Sequence, residues 1–122
     1  MLMKTEESVA YVNFLRLVND VRQSDNFTKL NPIEERLLNL LASAWIQDQK
    51  ITVLKAMQFD TDISYSTSHR LLKSLRQKNL ITLQIDEEDN RIKYVMPTDK
   101  ASDYFRALGS CLDRVHEKAA TH

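Results

Sequence analysis

Apolar positions along the chain follow two periods, and the change from one to the other divides it. Over residues 5–24, Val9, Val12, Leu15 or Arg16, and Val18 or Asn19 recur at helical steps, with Phe14, Leu17 and Val21 widening the stripe. This predicts an amphipathic helix with a broad apolar side. A polar loop over residues 24–31 follows, and Asn31-Pro32 supplies a cap and a first-turn proline for a helix over residues 32–47. Ile33, Leu37, Leu38, Leu40, Leu41, Ala44 and Trp45 make that helix apolar on most faces, so it is expected at the centre of the core. Glu34 and Glu35 read as first-turn acids favoured by the helix dipole. A polar break at 47–50, a short β-branched stretch at 51–53, a two-turn helix at 54–59 and a turn at 60–62 come next. Ser64 then caps a second helix with Leu71, Leu72 and Leu75 as its buried stripe, ending at Lys78-Asn79, where Asn79 suits a left-handed conformation.

From Leu80 the period becomes two. Residues 80–85 and 91–95 alternate around a polar turn at 86–90, which predicts a β-hairpin whose apolar face holds Ile92 and Tyr94 or their neighbours. Pro97-Thr98 closes it, and Thr98 caps a last helix in which Ala101, Tyr104, Phe105, Leu108, Leu112 and Val115 recur at helical spacing. The expected fold class is therefore mostly α with a small β-hairpin. Residues 1–30 form an N-terminal helix, 31–97 a winged helix-turn-helix domain, and 98–122 a C-terminal helix and tail.

Composition narrows the reading. A chain of 122 residues with 43% apolar residues supports one packed domain, and its single glycine and two prolines favour helices. Cys111 is the only cysteine and cannot form an internal disulfide; its neighbours Ala107, Leu108 and Leu112 suggest packing rather than redox chemistry. Residues 1–9 lack the apolar run of a signal peptide, and no stretch approaches membrane-spanning length, so a reducing cytoplasmic compartment and no membrane partner are expected. Formal net charge is zero, but no acidic residue lies between Asp62 and Asp86, where His69, Arg70, Lys73, Arg76 and Lys78 fall. Acids gather instead near Glu6, Glu34 and residues 86–89, as expected of a protein that aims one basic element at phosphates.

Placing Leu71, Leu72 and Leu75 inward turns Ser66, His69, Arg70 and Lys73 outward, giving short hydroxyls and long donors suited to phosphates and base edges. In a winged helix-turn-helix this second helix enters the major groove. Catalytic and metal readings are weak. His69, His116 and His122 are far apart, the only glycine is Gly109, and the acids at 60–62 and 86–89 read as solvated turns rather than a calcium loop. No enzyme activity and no cofactor are expected.

The run ISYSTSHRLLKSLRQKNLI at residues 63–81, followed by Asp89-Asn90-Arg91 and Pro97-Thr98-Asp99-Lys100-Ala101, resembles the MarR family of bacterial regulators. The resemblance covers roughly residues 30–105. It implies a homodimeric transcription regulator that binds double-stranded DNA in the bacterial cytoplasm. The DNA contacts it implies come from Ser64, Tyr65, Ser66, Thr67, His69, Arg70 and Lys73 on the recognition helix and from Arg91 and Lys93 on a wing with a D-x-R motif. Arg91 is then expected at the base of the wing. The terminal helices are implied to form the dimer interface through Val12, Phe14, Leu17, Tyr104, Phe105, Leu108 and Leu112. Related regulators often hold a small aromatic effector between the dimer helices and the DNA-binding lobe, which here points to Trp45 and Tyr11. The chain departs from the family pattern at Ser68, commonly aliphatic, at Asn79 and Ala101, commonly glycine, and at Asn90, commonly arginine. Against this stands a second reading, a winged-helix protein-interaction module, for which zero net charge is unremarkable.

Overall fold

Helices form where a side-chain oxygen meets the amides left open at a first turn. The computed structural model describes residues 4–120, with side chains to residue 117. Its elements run α1 (Glu6–Gln23), α2 (Pro32–Ile46), α3 (Val53–Ala56), α4 (Tyr65–Gln77), β1 (Ile81–Ile85), β2 (Lys93–Pro97) and α5 (Asp99–Ala120). The Ser8 N–H donates to Thr5 Oγ1 at 3.2 Å, Lys55 to Thr52 at 3.1 Å, Thr67 to Ser64 at 3.1 Å and Ala101 to Thr98 at 3.1 Å. At α2 the cap is reciprocal: Glu34 N–H donates to Asn31 Oδ1 and Asn31 N–H to Glu34 Oε1, both at 2.9 Å. The capping roles of Thr5 and Thr52 were not expected from the sequence.

The C-terminal ends of α2 and α4 share one solution. Asp48 and Asn79 take positive φ, 58° and 61°. Gln49 N–H then reaches Ala44 O at 3.1 Å, and Leu80 N–H reaches Leu75 O at 3.0 Å, the six-to-one closure of a Schellman motif. Asn79 was expected there; Asp48 was not.

The chain separates into two compact units, residues 30–102 and the two terminal segments, up to Lys29 and from Asp103. In the first unit α2 packs on α4, and both α3 and α4 meet the hairpin. Leu37, Leu38, Leu41, Ile51, Ala56, Leu75, Ile81, Val95 and Ala101 are almost fully buried. The strands are antiparallel, pairing Ile81 with Pro97, Leu83 with Val95 and Ile85 with Lys93. Val95 is thus the core residue of β2, whereas Ile92 and Tyr94 are only half-buried. Thr52 bridges to Tyr94, and Val95 N–H donates to Ile51 O at 2.8 Å, so residues 51–52 add a short third edge. That pairing holds Thr52 extended until α3 begins. The expected two-turn helix at 54–59 is accordingly one turn, Val53–Ala56, with residues 57–59 in turns and bends.

Two acids expected at the surface are buried. Glu34 is 1% exposed and lies beneath the end of α4, where Ser74 Oγ donates to its Oε2 and Lys78 Nζ to its Oε1 at 2.7 Å. Burial alone would raise its pKa. The hydrogen bonds from Lys78, Ser74 and Asn31, with the Lys78 charge, outweigh that and hold the carboxyl below its ordinary range. Asp60, expected in a solvated turn, is 5% exposed and accepts from Arg36 Nε at 3.0 Å; Arg36 Nη2 also reaches Asp62 at 2.9 Å. These pairs fix α2 to the turn before α4 and to the end of α4.

Ser68 occupies a core position of α4 at 1% exposure, and its Oγ has no hydrogen-bond partner among the described residues. A buried unsatisfied hydroxyl costs on the order of 1 kcal/mol. Ser68→Ala is therefore expected to raise stability by about 1 kcal/mol, helped by the better helix propensity of alanine. Thermal unfolding of the two proteins checks this; a lower melting temperature for Ser68→Ala would contradict it.

Candidate nucleic-acid interface

Burial of Ser68, Leu72 and Leu75 fixes which side of α4 faces out. At about 100° per residue, Ser66, Arg70, Lys73 and Gln77 fall on the opposite side. Tyr65, Ser66, His69, Arg70, Lys73 and Arg76 are all exposed. Two of the expected contact residues are engaged locally. Ser64 Oγ is the helix cap and also donates to Thr67 Oγ1 at 2.9 Å; Thr67 is half-buried and accepts from Arg70 Nη2 at 3.4 Å. Arg70 thus leans along the first turn of α4.

His69, Lys73 and Arg76 rim a cleft of about 260 Å³ between α4 and the hairpin, floored by Leu72, Ile81, Leu83 and Val95. Arg76 was absent from the expected contact set, although its seven-residue spacing from His69 places both on the hairpin side. Lys78, counted in the basic run, instead pairs with Glu34.

The wing turn is organised by its own carboxylates. Asp86 accepts from the Tyr94 hydroxyl at 2.9 Å and from the Glu88 and Asp89 N–H groups at 3.0 Å each. The Tyr94 hydrogen bond, with those two amides, holds the Asp86 carboxyl below the usual carboxylate range. Asp89 accepts from Arg91 three times: Nε and N–H on Oδ1 at 3.0 Å, and Nη2 on Oδ2 at 3.1 Å. This forked pairing lowers the Asp89 pKa and presets the guanidinium, whose side chain is 89% exposed. Arg91 precedes β2 in the turn, at the wing tip rather than its base, because β2 starts only at Lys93. Lys93 is exposed on the strand beside it. The tip is not basic overall, since residues 86–89 are all acidic; Asp86, Glu87 and Glu88 line a groove on the outer face of the hairpin.

In the terminal unit, Val12 is 39% and Leu112 60% exposed, while Phe14, Leu17, Phe105 and Leu108 are half-buried. Tyr104 departs from the expectation of an interface position. It is 4% exposed, with the Phe27 ring edge-on at 5.5 Å and Arg22 Nε donating to its hydroxyl at 3.4 Å, so it packs within its own chain. Val9 and Leu15, not expected in the interface, are 45% and 43% exposed and continue the line of Val12. Cys111 is buried. Tyr11 is 61% exposed on α1, while Trp45 donates its indole N–H to Val95 O at 3.0 Å and lines the outer groove of the wing. Among the described residues, no helix is long and apolar enough to cross a membrane, and no three potential ligands converge as a metal site requires.

No protein-family model and no curated protein matches the chain. Solved structures do. The chain is similar to the transcriptional regulator Tm0710 from Thermotoga maritima, at 14% identity and TM-score 0.64, over 93% of this chain and 71% of that one. It is similar to S. aureus MepR bound to ethidium bromide, at 17% identity and TM-score 0.70, over 93% and 76%. A MepR variant bound to an oligodeoxyribonucleotide aligns at 20% identity and TM-score 0.66, over 95% and 79%. The element order, the hairpin and these likenesses agree: the chain has the MarR-like winged helix-turn-helix fold.

Proposed function

We propose that the chain is a homodimeric, sequence-specific regulator of transcription that places α4 in the major groove of double-stranded DNA and the wing tip at the minor groove. The observation that carries this is the Arg91 guanidinium, held by Asp89 in a preset and exposed position on the same lobe as the outward ridge of α4. Presetting an arginine reduces the side-chain entropy lost when it meets a phosphate or a narrow groove. Ser66, Arg70 and Lys73 supply donors to base edges and phosphates, while Tyr65 adds apolar surface and a hydroxyl. The likeness to a MepR variant bound to an oligodeoxyribonucleotide supports DNA as the partner.

The dimer rests on a separate observation. Val9, Val12 and Leu15 form an exposed apolar line on α1, and Leu112 adds another exposed apolar side chain on α5. Such surface is stabilised by covering it, and a second copy with two-fold symmetry is the simplest cover. Val12→Asp is expected to shift the chain to monomer in sedimentation at tens of micromolar; a wild type already monomeric at that concentration would contradict the dimer.

Selection from a random duplex pool tests the function. The expected product is a two-fold symmetric motif with half-sites about one helical turn apart. Failure to enrich any motif would favour the protein-interaction reading, for which the acidic outer side of the wing is the supporting observation.

A further inference from the structure

Among the described residues β1 pairs with β2 alone, which leaves it an edge strand. Thr98 N–H donates to Leu80 O at 3.4 Å and Asp86 N–H to Ile92 O at 2.9 Å, so the ladder bonds of this segment fall on its even-numbered residues. The N–H and C=O groups of Ile81, Leu83 and Ile85 therefore point away from β2. Val95, opposite Leu83, shows the same alternation, because its N–H donates to Ile51 O at 2.8 Å on the far side. The outer edge of β2 is thus partly covered by residues 51–52, whereas that of β1 meets no strand.

Edge strands are commonly blunted by a charge, a proline or a bulge, since open amides and carbonyls invite a further strand. β1 has none of these. Ile81, Thr82, Leu83, Gln84 and Ile85 are uncharged, pair with β2 in unbroken register and include three β-branched residues. Ile85 is 54% exposed. The charges lie instead at the two ends of the strand, with opposite sign. Arg76 is exposed near the end of α4, before the strand, and Glu87 and Glu88 are exposed in the turn after it. A second copy laid parallel would set like charges together. Laid antiparallel, it sets the basic end of each strand toward the acidic end of the other.

We propose that two copies of the chain join β1 to β1, antiparallel across a two-fold axis at Leu83, so that their hairpins form one continuous sheet. The joint is separate from the terminal helices. Ile81 pairs with the partner's Ile85 and Leu83 with the partner's Leu83, each pair exchanging both N–H···O bonds through the outward groups. Thr82 then stands opposite the partner's Gln84, in the kind of pair whose side chains approach most closely. So short a joint is weak, and it forms on the order of hundreds of micromolar, well above the range in which the terminal-helix dimer is expected.

Sedimentation equilibrium of the full chain at low salt, at about 20 µM and at about 1 mM, tests it. Val12→Asp is run beside wild type, so that loss of the terminal-helix dimer is not mistaken for loss of this joint. The weight-average mass is expected to rise toward double between the two concentrations in both proteins. Thr82→Lys with Gln84→Lys sets like charges opposite each other across the axis and should abolish the rise. Thr82→Lys with Gln84→Glu sets opposite charges there and should restore it. Both side chains are exposed, and thermal unfolding matched to wild type checks that each variant keeps the fold. A wild-type mass that does not rise, a rise that survives the two lysines, or a lysine–glutamate variant that fails to regain it would each overturn the proposal.

Discussion

Replacing Glu34 with alanine is expected to cost roughly 3 kcal/mol of stability, the largest effect of any single substitution considered for this chain. The carboxylate is 1% exposed and accepts hydrogen bonds from Asn31 N–H, Ser74 Oγ and Lys78 Nζ. Removing it leaves those donors facing a cavity and breaks the reciprocal cap that starts α2. The figure sits at the lower end for a broken buried pair because the Lys78 side chain is 31% exposed and can rehydrate. The effect carries a pH signature. The folded-state pKa of Glu34 lies below its ordinary value of 4.5, so its contribution is fully present above that pH and is lost as the pH falls through the folded value. Glu34→Gln lacks that titration. The gap in melting temperature between wild type and Glu34→Gln is therefore expected to be constant near neutrality and to shrink below about pH 4.5. A gap that widens in acid would show that the carboxylate is not stabilised as described.

Arg70 and Arg91 are expected to fail in different ways. Arg70 stands on the outward ridge of α4, and a bidentate contact to guanine there would give ~1–3 kcal/mol of discrimination. Arg70→Ala should then lower affinity for a selected duplex by about tenfold or more while changing affinity for unrelated duplex far less. In the docking proposed, Arg91 at the wing tip is expected to read groove width and backbone charge. Its alanine variant should weaken both duplexes and reduce the salt slope by about one. Asp89→Ala should show a weaker form of the same defect, since Arg91 keeps its charge and loses its orientation. Titrations of both duplexes at two salt concentrations separate these outcomes, and equal losses on both duplexes for Arg70→Ala would remove it from base recognition.

Features set by neighbours in sequence were legible before the fold was known. Asn31, Ser64 and Thr98 cap helices because the bond they make reaches only three residues ahead. Asn79 ends α4 because its own backbone tolerates positive φ. Features set by distant partners were not legible. Glu34 looked like a surface acid because Ser74 and Lys78, which bury it, lie 40 and 44 residues away. Asp60 was hidden in the same way by Arg36. The face of β2 was ambiguous because Ile92, Tyr94 and Val95 put apolar side chains on both faces; pairing with Leu83 selected Val95. Tyr104 belonged to a legible apolar stripe, but periodicity cannot distinguish a residue covered by Phe27 from one covered by a second chain. At the candidate interface, the outward face of α4 followed from its leucines. The position of Arg91 depended on where β2 begins, which a polar turn does not announce.

The central claim, that α4 and the wing tip together form a DNA-docking surface, is tested most directly by one comparison. A selected duplex is titrated with wild type and with the combined variant Arg70→Ala, Lys73→Ala and Arg91→Ala. All three side chains are exposed, so thermal unfolding of the variant should match wild type and exclude misfolding as a cause. The docking account predicts that the variant loses at least about a hundredfold in affinity, the combined result of three lost cationic contacts. A variant that binds the duplex as tightly as wild type would contradict it.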